Sequence, residues 1–294
     1  MQQFRYNDTG QWFKGNLHIH STLSDGGRTL PELAKLYADA GYDFLTRMDH
    51  WVASDAAADT TSYPLLWLDG AELDGHDYAG GYYHVVCLGH FEGISPEMGF
   101  VAAIESVRRQ GGLLILAHPA WCGNSMDEAL RWQFHGVEVY NHICHWLNGK
   151  SDSRAYWNAM LLRNSDTLGI GADDAHLRAN NQVWNGAWVH VSAPELTREA
   201  IMDAIRRGRF YSSQGPDFKS IELVDGHIEV QTSPVRWIRL VGPNMHGRRE
   251  GRLDSTSIDQ ASFSVPTTWE YLYLEIEDEN GRRAWTNSLF TYSD

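Results

Sequence analysis

Six short apolar stretches in the first two thirds of the chain each run into a histidine or a carboxylate. That recurrence restricts the fold more than any other feature. Leu17-His18-Ile19-His20 opens the series. Residues 42–48 lead into Asp49-His50, residues 65–70 into Ala71-Glu72, and Tyr82-Tyr83 into His84. Residues 113–117 lead into His118-Pro119, and residues 168–172 into Asp173-Asp174-Ala175-His176. Side chains two apart on an extended segment share a side, so His18 and His20 face one way while Leu17 and Ile19 face a core. A lone histidine at a strand end is ordinarily a hydrogen-bonded surface residue. Six such ends in order imply one shared metal centre, of the zinc, manganese or iron class that imidazole and carboxylate ligands suit.

Helical stretches separate these segments. Thr29-Leu30-Pro31-Glu32 reads as a capping box with proline in the first turn, and Gly41 as its stop. Further helices are expected over residues 100–110, 125–134, 154–162 and 197–207. Strands alternating with helices imply βαβ units and a parallel sheet or barrel. In a barrel the functional residues gather at the carboxyl ends of the strands, where every candidate ligand falls. After Gly215-Pro216 the pattern changes. Residues 220–224, Asp225-Gly226 and residues 227–231 read as a hairpin, and four more short β segments follow by residue 286. The expected division is an α/β barrel over residues 1–215 and a small β-sandwich over 216–294. His227 and His246 stand alone in the second part and read as structural or surface residues.

The series His18-x-His20 with Asp25, Asp49-His50, Glu72, His84, His118-Pro119 and Asp174-x-His176 resembles the PHP (polymerase and histidinol phosphatase) family of multinuclear metallohydrolases. The likeness spans roughly residues 14–215. With Gly208-Arg209-Phe210-Tyr211 followed by a β domain, the layout is similar to the stand-alone branch that includes carbaryl-hydrolase-like proteins. The resemblance implies a distorted (β/α)7 barrel and a site for two or three divalent ions. In that site His18, His20, Glu72 and Asp174 would bind the first ion. Glu72 would bridge to a second held by His84 and His118, and Asp25, His50 and His176 would hold a third. A water bridging such ions is deprotonated near neutral pH and becomes the nucleophile. His50, His176 and Asp174 are then the candidate catalytic residues, with His50 or His176 assisting the leaving group. Asp49 and Asp173 would either orient ligand imidazoles or hydrogen-bond the backbone.

Composition limits the partners. The net charge of −14 disfavours long nucleic acid, whose binding needs phosphates neutralised by Lys and Arg. A small phosphorylated substrate stays compatible, because bound ions reverse the local field. No apolar run approaches the ~20 residues of a membrane span. Cys87, Cys122 and Cys144 are odd in number and lack Cys-x-x-Cys spacing, so reduced thiols in the cytoplasm are expected.

Trp121, Asn141 and Arg178 are the candidate substrate contacts. Trp51 and Trp146 also follow strand ends and offer stacking surfaces, and Arg154 and Arg163 join Arg178 as phosphate-gripping candidates. Glu138 and Asn141 close another strand and either line the pocket or brace it, with bracing favoured. His142 and His145 read as surface residues or substrate contacts. The expected activity is metal-dependent hydrolysis of a small organic phosphate ester. One rival cleaves a carboxylic or carbamate ester at the same site. Another, from a different class, is a carbohydrate- or partner-binding protein with structural metals.

Overall fold

The computed structural model describes residues 2–6, 10–254 and 256–292. Its helices start where the capping chemistry places them. The backbone N–H of Thr29 donates to the Glu32 carboxylate at 2.8 Å, opening Leu30–Asp39. Ser125 and Glu128 exchange the same pair of bonds at the start of Met126–Arg131. Phe100–Arg109 buries Phe100, Ala103, Ile104 and Val107, a stripe at helical spacing that packs on the strands beneath.

The architecture is mixed α/β. One sheet of nine strands begins Leu66–Leu68, Phe44–Thr46, Gln11–Asn16, Trp188–Ala193, Phe210–Ser213. It continues through Arg283–Thr286, Tyr273–Glu277, Trp237–Val241 and Gly247–Gly251. A second sheet has the order Gly70–His76, Tyr82–Leu88, Leu113–Leu116, Gly136–Asn141, Leu168–Ala172. Between the two lies an apolar core that includes Leu17, Met48, Val86, Ile115, Ile170 and Val189.

Two features depart from the parallel sheet or barrel that alternating strands and helices imply. Tyr82–Leu88 runs antiparallel to both its neighbours, and Trp188–Ala193 is antiparallel to Gln11–Asn16. Nor do the described strands close into a ring by continuous ladders. The two sheets meet at isolated parallel bridges, Ile19 with Ala175 and His50 with Glu72. The cause lies in the ligand-bearing segments. Regular pairing stops at Asn16 and at Thr46, and residues 17–20 and 47–50 keep only separate backbone bonds, such as His20 N–H to Ala175 O at 3.0 Å. His18, His20 and His50 turn to the cavity, and Leu17, Ile19 and Met48 to the apolar cores.

The hairpin after Gly215 forms as Phe218–Val224 and His227–Val235, with Asp225 and Gly226 both at positive φ (48° and 77°), as a primed two-residue turn requires. Together with Ile258–Ser264 these strands make a three-stranded sheet. Its Ile221, Ile228, Val230 and Phe263 pack in one core with Ile238, Leu240, Leu274 and Ile276 of the nine-stranded sheet. That sheet runs without a break across residue 215, because Phe210–Ser213 pairs with Arg283–Thr286. Among the described residues no helix is long and apolar enough to cross a membrane.

Candidate metal centre

The ends of both sheets deliver histidines and carboxylates to one cavity of about 410 Å³. Glu72 stands at its centre, 1% exposed. Oε2 lies 3.1 Å from His18 Nε2, 3.2 Å from His20 Nε2 and 3.4 Å from His50 Nε2. Oε1 lies 2.8 Å from His84 Nδ1 and 3.5 Å from His118 Nε2. The two oxygens therefore face two different sets of imidazoles. Asp174 stands opposite, its Oδ1 3.3 Å from His18 and 3.1 Å from His20, its Oδ2 3.6 Å from His118. It sits at φ +54°, unusual for a residue with a side chain and held here by its N–H bonding His18 O at 2.8 Å.

Three overlapping groups have ligand atoms within 4.8 Å of one another: His18, His20, Glu72 and Asp174; His50, Glu72 and His84; and His20, Asp25, His50 and His176. His118 borders the first two through Glu72 and Asp174. The residues expected to be ligands thus lie together. The structure differs in sharing His20 and His50 between groups, rather than giving each one ion.

Electrostatics follow from this crowding. Burial opposes charge on His18, yet Asp174, Glu72 and Glu138 outweigh it and hold its pKa well above the usual histidine range. On His20 burial is likewise outweighed, by hydrogen bonds to Asp174 and Glu72, and the pKa is pushed up to about 9. Burial alone would raise Glu72 and Asp174, but His18 and its neighbours hold both well below the carboxylate range. The carboxylates thus favour positive charge on the imidazoles they face. Among the described residues Nδ1 of His20 is buried without a hydrogen-bond partner, 3.6 Å from Asp25 Oδ1. A buried donor or acceptor left so is costly unless something else meets it. Imidazole nitrogens and carboxylate oxygens converging around such an atom fit divalent ions of the zinc, manganese or iron class.

The supporting groups are equally specific. Glu138, 1% exposed, accepts the Nδ1 proton of His18 at 2.6 Å, the His118 backbone N–H at 3.0 Å and the Asn141 amide at 2.9 Å. It thereby steadies His118 at φ +29°. Asn141 does not line the cavity, which corrects its reading as a substrate contact. It is fully buried, donates to Glu138 and to Asp174 Oδ2 at 3.1 Å, and caps the His142–Asn148 helix by accepting from Cys144 N–H. Asp49 and Asp173 take the second of their two readings. Asp49 binds the N–H and hydroxyl groups of Ser21 and Ser24, and Asp173 binds the N–H groups of Asn185, Gly186 and Ala187.

No family model matches the chain, and no curated protein matches it by sequence. Among solved structures it is similar to a two-domain protein from Bacteroides vulgatus containing a predicted PHP-like metal-dependent phosphoesterase. That match has a TM-score of 0.52 and 15% identity, and covers 98% of each chain. The fold is PHP-like. An amidohydrolase from Chromobacterium violaceum, solved with bound sulfate and no metal, aligns over 55% of this chain and 87% of its own at 17% identity and a TM-score of 0.41.

Within this PHP-like frame the remaining candidates separate. Trp121 and Arg178 line the cavity, as does Trp146. Arg178 donates from Nε to the backbone carbonyl of Asp25 and from Nη2 to its carboxylate. Arg154 instead pairs with Asp152 and Glu275, and neither it nor Arg163 lines the cavity. Trp51 donates to Asp74 Oδ1 at 3.1 Å, and His142 and His145 stack on each other rather than joining a ligand group. Sequence reasoning missed Asp74. It accepts the Nδ1 proton of His50 at 3.1 Å, and His50 holds its pKa below the usual value. The signal was present: Asp74 stands two residues after Glu72 on one strand and so shares its side.

Proposed function

We propose that this chain is a metal-dependent phosphoesterase that hydrolyses a small organic phosphate ester. The observation that carries the reading is Glu72, whose two oxygens face separate imidazole sets at the floor of an open cavity. His18, His20, Glu72 and Asp174 would hold one ion, Glu72, His84 and His118 a second, and Asp25, His50 and His176 a third. When bound, such ions acidify water and draw electron density from ester oxygens. The chain's own residues do the positioning. The Nδ1 proton of His18 goes to Glu138 and that of His50 to Asp74, so each turns Nε2 toward Glu72. His176 donates from Nδ1 to Asp174 O at 3.0 Å, which leaves Nε2, 3.2 Å from Asp25, as its ligand nitrogen for the third ion or, with that position unfilled, as the holder of the leaving-group proton.

A second reading keeps the site and changes the bond to a carboxylic or carbamate ester. It draws support from Arg178, whose guanidinium is committed to Asp25, and from a domain layout that resembles the carbaryl-hydrolase-like branch. A binding protein with structural metals fits less well, because structural sites are closed by about four ligands and this one opens into a cavity. The test uses manganese- or zinc-loaded protein on matched p-nitrophenyl esters: a phosphate monoester, a phosphate diester and a carboxylic ester. His18→Ala controls for contaminants. Phosphate release that the variant lacks supports the proposal; preference for the carboxylic ester replaces it with the second reading.

A further inference from the structure

We infer that the ester this site accepts carries a single acidic or polar head and an uncharged, aryl-bearing organic part. The inference rests on the hydrolase reading above and extends it from the bond cleaved to the group attached. One wall of the cavity is apolar. Trp121 stands edge-on to His118 and His84, with ring centroids 5.2 and 6.1 Å away, so a flat surface adjoins the ligand cluster. The His142–Asn148 helix adds Ile143, Cys144, Trp146 and Leu147 to the same wall. Trp146 is 52% exposed and Leu147 49%, two large apolar side chains left open to water at a cavity mouth. Exposed apolar surface gathered at a concave site marks what the site binds.

Charge points the same way. Arg178 is the one lysine or arginine lining the cavity among the described residues. Its Nε and Nη2 are both occupied by Asp25. Its neighbours Asn180 and Asn181 are neutral. A substrate with a second phosphate or carboxylate would meet, beyond the ligand cluster, only the Arg178 guanidinium, whose charge is already shared with Asp25. A polyphosphate or a sugar bisphosphate is therefore a poor match, and a flat hydrocarbon group is a good one.

The test compares 2-naphthylmethyl phosphate with ethyl phosphate, and 2-naphthylmethyl acetate with ethyl acetate, on manganese-loaded protein. Binding of 2-naphthylmethylphosphonate and ethylphosphonate is followed alongside by calorimetry. Aryl-bearing members are expected to lead by about tenfold or more in kcat/KM and in affinity, with the lead shrinking to about threefold or less in Trp146→Ala and Leu147→Ala. Equal affinities in the wild type, or a lead untouched by both substitutions, overturn the inference even where phosphate esters are cleaved. If only the acetates turn over, the phosphoesterase reading fails while the aryl lead still decides this one. If nothing turns over, the phosphonate affinities decide it alone.

Discussion

His18 gives its Nδ1 proton to Glu138 across 2.6 Å, and that bond determines which nitrogen the cavity sees. A carboxylate only accepts, so Nδ1 carries a proton throughout, and Nε2, which faces Glu72 and Asp174, is the nitrogen that would give up its proton to ligate a metal. Replacing Glu138 by Gln keeps the shape and removes the charge that makes the imidazole a better donor. Metal affinity is expected to fall by about tenfold or more, as orienting carboxylates usually contribute 10–100-fold. Competition with a chelator measures it, and unchanged affinity would show that Glu138 serves packing alone.

Metal content itself is exposed to test. The two imidazole sets that face separate oxygens of Glu72 predict at least about two ions per chain after loading with manganese or zinc. Loading at a hundred times Kd should add about 2.7 kcal/mol of stability, seen as a higher Tm that a chelator reverses. Glu72→Gln should lose most of that rise. A stoichiometry below two by elemental analysis would remove the bridged site.

Asp77 links the turn between Gly70–His76 and Tyr82–Leu88 to the Met126–Arg131 helix. Its carboxylate accepts from Arg131 at 2.5 Å, Trp132 at 3.2 Å, and the N–H groups of Ala79 and Gly81 at 2.9 Å. Burial would raise its pKa, but Arg131 and the backbone donors hold it below the ordinary 3.8. A depressed folded pKa stabilises above the unfolded value, and that stability disappears as pH falls through the folded one. Asp77→Asn is expected to cost about 1–3 kcal/mol at pH 7, with the gap to wild type closing below about pH 4. Urea denaturation across that range reads it; a gap that persists at low pH would contradict the ionic origin.

Cutting the chain after Gly215 leaves Phe210–Ser213 as an open edge, because its partner Arg283–Thr286 is removed. Arg5 also loses Ser288 O, to which its Nε donates at 2.8 Å. Unpaired edges and exposed apolar faces drive aggregation. The 1–215 fragment is expected to be insoluble or to lack a cooperative unfolding transition, and soluble, metal-binding fragment would show two separable folding units.

Local chemistry made much of this protein legible in its sequence. Thr29 with Glu32 and Ser125 with Glu128 mark helix starts because capping needs only neighbours three residues apart. Asp225-Gly226 marks its hairpin because the turn demands two positive φ values. Most ligand residues could be read as a set because each follows a short apolar run, although Glu72 and His84 prove to lie inside the strands Gly70–His76 and Tyr82–Leu88. What the sequence left undecided depended on residues far apart in the chain. Asp49 and Asp173 look alike beside His50 and Asp174, yet each binds backbone loops that only the folded chain brings near. Asp74 became His50's partner, and Asn141, bonded to Glu138 on its own strand, became a brace through its bond to the distant Asp174. The sheet that crosses residue 215 is likewise a long-range ladder, set by hydrogen bonds between segments some seventy residues apart, as in Ser213 with Ala284. Periodicity and capping act within a few residues, whereas register, ring orientation and the shared faces of Glu72 are decided by which strands meet.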